Sequence, residues 1–308
     1  MSNPVAVSFE FFPPSDEAMS LQLWASVQRL ASLQPRFVSV TCGADGSTHA
    51  GTHECVLRIL RETTLPVAPH LTCVSAPRHK VLRIAAQYRR QGVRHLVALR
   101  GDAPASSVSI DGRYQPKRGG FAFASDLIKG LRAAGDFEIS VAAYPEGHPE
   151  SGGVDADIAN LQRKVAAGAR RAITQFFFDT DVFLRYRDRC AALGIPASIV
   201  PGILPITRFP QMLRFAARCG AAVPDWLHQR FEGLEEDAHT RHLVAAQVAI
   251  DQVQRLRHHG VEEFHFYTLN RAELTYAICQ SMGIGPRLLY NTEHESAVDQ
   301  SRVKRQAC

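Results

Sequence analysis

The sequence lacks several features that mark particular classes of protein. Its 308 residues include seven cysteines but no CxxC pair and no Cys/His cluster with zinc-ligand spacing, so neither a metal site nor a disulfide framework is indicated. No apolar run approaches the ~18 residues that cross a bilayer. The N-terminus, MSNPVAVSFEFF, lacks the basic and apolar segments of a secretion signal. We therefore expect reduced thiols, a cytoplasmic location and no membrane partner.

A strong charge of one sign is also lacking. Lys and Arg total 35 and Asp and Glu total 30, which gives a net charge of +5. The densest basic cluster, Arg302, Lys304 and Arg305, lies at the C-terminal end. Proteins that bind nucleic acids usually concentrate their positive charge more strongly, so we expect no nucleic-acid partner. The hydrophobic fraction of 45% is that of a globular protein and excludes wholesale disorder.

Eight short β-rich segments recur along the chain, and stretches of helical periodicity lie between most of them. The predicted strands span 5–12, 36–42, 66–73, 94–101, 138–145, 170–178, 196–203 and 262–269. Strands and helices that alternate every ~30 residues predict βα units and a parallel sheet, and eight such units close a barrel. An open doubly wound sheet is the alternative, but neither GxGxxG nor GxxxxGK[ST] occurs in the chain.

The fold that we predict is therefore α/β, a single (β/α)8 TIM barrel over residues 1–290. Further helical segments at 209–219 and 224–231 predict extra helices between strands 7 and 8. Residues 103–120 are rich in Gly, Ser and Pro and predict a long loop after the fourth strand. Residues 291–308 have little periodicity and predict a flexible C-terminal tail.

Polar residues lie late in the predicted strands, on the face that suits the barrel interior. In the first strand, Ser8 and Glu10 share one face, and Phe9 and Phe11 share the other. The carboxyl ends of barrel strands are where such enzymes place their chemistry. The late polar residues are Glu10, Thr41, His70, Arg100 with Asp102, Tyr144 and Gln175.

Each of these residues has a structural alternative. Glu10 lies among phenylalanines and is poorly solvated, which predicts a raised pKa and a proton held near neutral pH; alternatively it is a buried partner of an arginine. Asp102 could pair with Arg100 or cap the next helix. His70 alone could be a satisfied core histidine, and the Gln175 amide could bond to a ligand or to neighbouring backbone.

One predicted helix carries a polar face. Asp157, Asn160 and Lys164 recur at i, i+3 and i+7 and therefore share that face. It could contact the phosphate and ribose of a ligand, with Arg163 and Lys164 as cations, or it could simply face solvent. The residues alone therefore indicate a barrel whose polar mouth could hold an anionic or heteroaromatic ligand.

Eight motifs in order give the chain a specific resemblance, which covers roughly residues 5–287. They are SFEFFPP at 8–14, FVSVTCGA at 37–44, APHLTC at 68–73, HLVALRGD at 95–102, VAAYPEGHPE at 141–150, RAITQFFFD at 171–179, PGILPI at 201–206 and FHFYTLNRAE at 264–273. In these motifs the chain resembles methylenetetrahydrofolate reductase of the bacterial type.

The resemblance implies a TIM barrel that binds FAD without a covalent bond. NADH or NADPH would reduce the flavin, which would then reduce 5,10-methylenetetrahydrofolate to 5-methyltetrahydrofolate in a ping-pong scheme. This reaction belongs to one-carbon metabolism and methionine biosynthesis. The resemblance also implies a homodimer or homotetramer, no metal, and no regulatory domain of the eukaryotic kind.

The resemblance also implies roles for individual residues. Glu10 would be the general acid that protonates folate N10, and Asp102 would lie near the flavin pyrimidine and the folate pterin. The remaining folate contacts would be Gln175, Gln211, Phe215 and Arg271. The flavin contacts would be Thr41, Cys42, His70, Arg100, Gly101, Asp102, Phe123, Ala124, Tyr144, His148, Asp157, Asn160, Arg163 and Lys164.

Two departures from the family pattern lie near the expected flavin site. Cys42 stands where relatives commonly have an aromatic residue, and the 103–120 loop is longer than expected. Two other classes of function stay open on the sequence. One is a different barrel enzyme, such as a flavin-dependent proline oxidase or a flavin-free lyase. The other is a catalytically inactive barrel, against which the presence of both Glu10 and Asp102 argues.

Overall fold

Strands and helices alternate along the computed structural model, which describes residues 5–42, 49–74, 76–102 and 114–286. The strands are β1 (Ala6–Phe11), β2 (Phe37–Val40), β3 (Val67–Thr72), β4 (His95–Leu99), β5 (Glu138–Ala143), β6 (Arg171–Thr174), β7 (Ser198–Val200), β8 (Gly202–Ile203) and β9 (Glu263–Tyr267). The helices are α1 (Glu17–Ala31), α2 (His49–Glu62), α3 (Arg78–Arg90), α4 (Ala124–Ala134), α5 (Val154–Ala166), α6 (Thr180–Ala192), α7 (Phe209–Cys219), α8 (Asp225–Phe231), α9 (Ala238–His258) and α10 (Glu273–Ser281).

All of the paired strands are parallel, in the order β7-β6-β5-β4-β3-β2-β1-β9-β8, and the sheet closes through a strand that Pro201 interrupts. β7 pairs with β6 on one side of Pro201, and β8 pairs with β9 on the other. Proline has no N–H for the ladder, but the Pro201 carbonyl accepts a hydrogen bond from His265 N at 3.0 Å. A Cβ at Gly202 would lie 2.2 Å from Thr174 O, so glycine permits this close approach. β7 and β8 thus form one barrel strand, and the predicted TIM barrel is confirmed.

The two faces of the strands bury different kinds of residue. Phe9 and Phe11 belong to the main apolar core, together with helix residues such as Leu30 and Ile59. A separate small cluster fills the barrel interior and consists of Phe37, Ala68, Val97 and Ile173, with Leu99 and Tyr267 packed against it. The middle of the barrel is therefore a packed core, with polar residues above and below it. A ligand can enter only at an end of such a barrel, and the end formed by the carboxyl ends of the strands is the one that barrel enzymes use.

The predicted extra helices are present between the seventh and eighth barrel strands. α7 and α8 pack together through the stacked rings of Phe209 and Phe231, whose centroids are 4.7 Å apart.

Other expectations from the sequence differ from the structure or lie outside it. β6 ends at Thr174, so the predicted strand 170–178 is too long at its C-terminal end. No helix in the described ranges combines the length and apolarity needed to span a bilayer. The predicted tail at 291–308 and residues 103–113 of the predicted loop lie outside the described residues.

Candidate active site

An elongated cleft lies at the carboxyl ends of the barrel strands. One cavity of about 560 Å³ covers the barrel mouth, and a second of about 660 Å³ extends toward α4 and α5. The two cavities share lining residues from the end of β4 and from the segment after β5, which are Leu99, Arg100, Gly101, Asp102, Ala142, Tyr144, His148 and Glu150. They adjoin along these residues and together offer room for a large extended ligand.

Most of the site residues expected from the sequence line this cleft. The expected residues around the barrel mouth are Glu10, Thr41, Cys42, His70, Arg100, Gly101, Asp102, Tyr144, His148, Gln175 and Phe215. Those that line only the second cavity are Phe123, Ala124, Asp157, Asn160, Arg163 and Lys164. Gln211, half-buried in α7, and Arg271, exposed just before α10, are outside the lining of both cavities.

Backbone contacts between β1 and the segment after β9 hold Glu10 at the barrel mouth. Thr268 Oγ1 donates a hydrogen bond to Glu10 O at 2.6 Å. The Asn270 side-chain amide accepts from Phe12 N at 3.0 Å and donates to Phe12 O at 2.9 Å. Asn270 itself has a left-handed backbone, with φ of 56°, a conformation that asparagine tolerates better than most residues. The strand end that carries Glu10 is therefore held at Glu10 and again at Phe12.

The Glu10 carboxylate faces two buried imidazoles. Its Oε2 lies 3.4 Å from His70 Nε2 and 3.6 Å from His265 Nε2. Neither nitrogen makes a hydrogen bond of normal geometry. The partners of Glu10 are thus histidines from β3 and β9, and the alternative of an arginine partner is wrong. These three groups are called the Glu10 cluster below.

Electrostatics in the Glu10 cluster differ from the expectation. Burial alone would raise the pKa of Glu10, but polar contact with His265 and His70, and the charge of these rings when protonated, lower it to about 2. The expectation of a raised pKa, based on the neighbouring phenylalanines, is therefore wrong. Those phenylalanines lie mostly on the outer face of β1, whereas the interior face of the barrel decides the environment of the carboxylate.

His265 is oriented by a third residue. Its Nδ1 lies 2.8 Å from Ser8 Oγ, and Ser8 Oγ also donates to Phe264 O at 3.3 Å. A hydroxyl has a single proton, so when Ser8 donates to Phe264 O its lone pair accepts the Nδ1–H of His265. The Nε2 atom of His265 is then the one that faces Glu10. A proton shared between Nε2 and Oε2 would stabilise this arrangement, since two bare lone pairs would repel.

The boundary between the two cavities carries an ion pair. Arg100 Nη1 lies 2.6 Å from Glu150 Oε2, so Arg100 pairs across the cleft with Glu150. Asp102 is exposed to both cavities. Gly101, which stands between Arg100 and Asp102 in the chain, has φ of 86°, and a Cβ there would lie 2.7 Å from Val74 Cγ2. Glycine is required at this turn, which brings the backbone to the edge of the cleft.

The polar face of α5 is partly buried against the strands. Asp157 accepts hydrogen bonds from His148 N at 2.6 Å and from Ser151 Oγ at 2.8 Å. Lys164 Nζ donates to Ala142 O at 2.8 Å, and burial lowers the pKa of Lys164 to about 8. Asp157 and Lys164 are buried, so the alternative of a wholly solvated helix face is wrong for these two residues.

The sequence did not single out several residues at or beneath the cleft. Glu150 and Tyr267 line it, and Ser8 and His265 lie beneath Glu10. Tyr267 is half-buried and in register with Glu10 on the neighbouring strand, and its hydroxyl donates to Thr174 O at 2.7 Å. Burial, and then the charge of Glu10, raise the pKa of Tyr267. The alternation in the segment EEFHFYTL was the available signal, because it places His265 and Tyr267 on one strand face.

Comparisons with known proteins agree on one family. A family model described as methylenetetrahydrofolate reductase matches residues 2–283. The 5,10-methylenetetrahydrofolate reductase of Escherichia coli (strain K12) is 50% identical over 284 residues, which cover 92% of this chain and 93% of that protein. Its counterpart from Pectobacterium carotovorum subsp. carotovorum is 50% identical over 282 residues, with 92% and 91% covered.

A solved structure supports the fold. It is described as an uncharacterized protein from Clostridium thermocellum that binds two copies of 5-methyl-5,6,7,8-tetrahydrofolic acid. It superposes with a TM-score of 0.63 over 91% of this chain and 95% of that chain, at 13% sequence identity. At this level of identity, the likeness concerns the fold alone.

Proposed function

Because this chain belongs to the methylenetetrahydrofolate reductase family, we propose that it reduces 5,10-methylenetetrahydrofolate to 5-methyltetrahydrofolate with hydride from NADH or NADPH, carried by non-covalently bound FAD. The chemistry supplied by bound FAD would be hydride transfer from the nicotinamide to the folate, with the two substrates using the site in turn. The observation that carries the proposal is the Glu10 cluster, which borders two adjoining cavities of about 560 and 660 Å³.

The residues of the cleft fit a flavin. Thr41 Oγ1 and His70 Nε2 are buried polar atoms without a hydrogen-bond partner, and both residues line the cavity over the barrel mouth. Unpaired buried polar groups are costly, so a ligand with hydrogen-bonding edges in this cavity would stabilise them. A flavin ring has such edges. The close backbone at Gly101 would allow the ring to approach β4.

The second cavity would hold the adenosine and phosphate end of FAD. Arg163 and Lys164 would provide positive charge for the pyrophosphate, and Asp157 and Asn160 would provide hydrogen bonds. Phe123 and Ala124, at the start of α4, and His148 would complete this end of the site. Arg100, which pairs with Glu150, would add positive charge at the boundary between the two ends of FAD.

Glu10 would act as the general acid toward the folate. Protonation of N10 opens the five-membered ring of methylenetetrahydrofolate and gives the iminium that accepts hydride. The lowered pKa of Glu10 means that the carboxylate does not hold this proton on its own near neutral pH. The proton would instead be shared within the Glu10 cluster and would pass through Oε2 to the substrate.

Other residues would position the folate and tune hydride transfer. Asp102, exposed to the cleft, would accept hydrogen bonds from the pterin and disfavour negative charge on a reduced flavin. Gln175 and Phe215 line the same cavity and would contact the folate. Gln211 and Arg271 remain proposed contacts on the resemblance alone. A cytoplasmic homodimer or homotetramer is proposed on the same basis.

One anaerobic experiment tests the proposal. Purified protein should absorb near ~450 nm as a flavoprotein, and NADH or NADPH should bleach this band. Addition of 5,10-methylenetetrahydrofolate should then restore it, with 5-methyltetrahydrofolate as the product. A colourless protein that gains no flavin when incubated with FAD would contradict the flavin assignment. Bleached protein that the folate does not reoxidise would contradict the reaction.

A further inference from the structure

Three residues form a row across adjacent strands directly beneath Glu10. Ser8 of β1 is in register with Phe37 of β2 on one side and with His265 of β9 on the other. All three are almost completely buried. Because Ser8 is small, the two rings meet over it: the centroids of Phe37 and His265 are 5.9 Å apart, and their planes differ by 23°.

The Phe37 ring therefore adds a restraint on the orientation of the His265 ring, beside the edge contact of Tyr267, whose ring centroid lies 5.4 Å from that of His265. The bond between Nδ1 and Ser8 Oγ fixes one end of the imidazole but permits rotation about that contact. A stacked aromatic face resists this rotation. His95 packs against the same phenyl ring from β4, with centroids 4.3 Å apart and planes at 70°, so Phe37 itself is held.

We propose that Phe37 is a positioning residue for the reductase reaction, which keeps the His265 ring aligned with the Glu10 carboxylate so that the two groups share the proton needed by the folate. The inference rests on the proposed function and assigns a role to a residue of the barrel interior that does not line the cleft. Phe37 would act only through His265.

Phe37 also separates the Glu10 cluster from a fixed positive charge. The Arg171 guanidinium carbon lies 5.4 Å from the centre of the Phe37 ring. By the strand registers, Glu10 lies on one side of the row formed by Ser8, Phe37 and His265, and Arg171 lies on the other side. Glu138 and Glu263 neutralise Arg171. The titratable or charged groups that face the Glu10–His265 pair, directly or across Phe37, are His70 from β3, His95 from β4, Arg171 from β6 and Tyr267 from β9.

The test replaces the ring while keeping an apolar side chain. In Phe37→Leu, reduction of the flavin by NADH should stay within about twofold of the wild type, whereas hydride transfer to the folate should slow about tenfold. A misaligned pair binds its proton less tightly. The pH at which the folate half-reaction declines should therefore fall by about one pH unit. A purely structural role would slow turnover without moving this pH profile.

Two further variants make the result decisive. Phe177→Leu removes a fully buried phenylalanine that stacks on Phe183, with centroids 5.2 Å apart, outside the barrel; it should cost similar stability and leave the pH profile unchanged. Phe37→Met fills the space with a flexible chain that offers no ring face and should reproduce the shift. If wild-type protein reduces the folate but both Phe37 variants keep its rate and pH profile, the positioning role is wrong. If wild-type protein does not reduce the folate at all, the proposed function itself is wrong.

Discussion

Both ends of the barrel interior pair carboxylates with nitrogen-containing side chains. The partners are imidazoles at the open end and a guanidinium at the closed end. At the open end, Glu10 faces the imidazoles of His70 and His265, side chains that can either donate or accept a proton. At the closed end, Arg171 pairs with Glu138 and Glu263, and its side chain is only 4% exposed. A guanidinium keeps its charge at any physiological pH.

The difference separates stability from catalysis along one barrel axis. The closed end has a fixed charge whose partners satisfy it in the folded state, so nothing there has to change during a reaction. At the open end, a proton can move between the Glu10 carboxylate and the imidazoles of His70 and His265. A barrel is typically organised this way, with stability at the amino ends of its strands and chemistry at their carboxyl ends. Substitutions at one end at a time test this difference between the two ends of the barrel.

The largest effect is expected at the closed end. Arg171→Met leaves Glu138 and Glu263 without their shared cation. Glu263 is mostly buried, and its other partner, Arg36, is exposed and lies 3.6 Å away, so the loss should cost ~3 kcal/mol of unfolding free energy. Urea denaturation should show this loss, whereas Arg189→Met, which breaks the exposed pair with Asp155, should cost no more than about 1 kcal/mol. A loss as small as that of the Arg189 variant would mean that Arg171 does not stabilise the barrel.

The next largest effect is expected from Glu10→Gln at the open end. The amide keeps the shape of the side chain but cannot pass a proton, so folate reduction should fall by at least ~10²-fold. Flavin reduction by NADH should survive in the same variant, and stopped-flow measurement of the two half-reactions separates them. Equal losses in both would indicate a structural role for Glu10.

The environment of Glu10 also shows where prediction from the sequence stops. The position of Glu10 at the end of the first strand followed from the alternation of polar and apolar residues and from the SFEFFPP motif. Its pKa did not, because the two imidazoles that control it come from β3 and β9, 60 and 255 residues further along the chain. Local sequence reports the neighbours along a strand, whereas the barrel brings together residues of distant strands.

The fold was easier to predict from the sequence than the site was, because the fold depends on local patterns that repeat along the chain. All eight predicted barrel strands are present, and α7 spans the predicted residues 209–219. The break at Pro201 was not predicted, because the sequence indicates one continuous strand over 196–203. Arg100 illustrates the same limit at the site: its partner, Glu150, is in another loop, and only the packing of β4 against β5 brings them together.

A smaller effect is expected from Lys164 at the far end of the cleft. Lys164→Ala removes a cation proposed to face the FAD pyrophosphate and should weaken flavin binding by ~1–3 kcal/mol, while turnover at saturating FAD changes little. Burial lowers the pKa of Lys164 to about 8, so its charge is present below that pH and is lost above it. Flavin affinity of the wild type should therefore decline as the pH rises through about 8.

Titration of FAD binding by fluorescence at several pH values checks both statements. The Lys164→Ala variant should lack the decline near pH 8, and Lys129→Ala, which removes a lysine of α4 that does not line the second cavity, should behave as the wild type. An unchanged affinity in Lys164→Ala across pH and salt would mean that Lys164 serves only its bond to Ala142 O.

The smallest effect is expected from Asp102→Asn, which tests electrostatics without removing a proton donor. Asp102 is exposed to both cavities, so solvent partly screens its charge before a ligand binds. A carboxylate beside a bound flavin disfavours the anionic reduced form, and asparagine is nearly isosteric but uncharged. The midpoint potential should therefore become more positive by tens of millivolts, where ~30 mV corresponds to about 1.4 kcal/mol for a two-electron couple.

The two half-reactions should respond differently to Asp102→Asn. A flavin that holds its electrons more tightly still accepts hydride from NADH but gives it up less readily, so transfer to the folate should slow while flavin reduction persists. In Glu10→Gln, by contrast, the loss of folate reduction should exceed what any change in potential explains, because the amide cannot pass a proton. Rates compared with the measured potentials of the two variants thus separate the carboxylate that tunes the flavin from the one that passes a proton. An unchanged potential and wild-type rates in Asp102→Asn would instead mean that the end of β4 contributes only its backbone and the Arg100–Glu150 pair to the cleft.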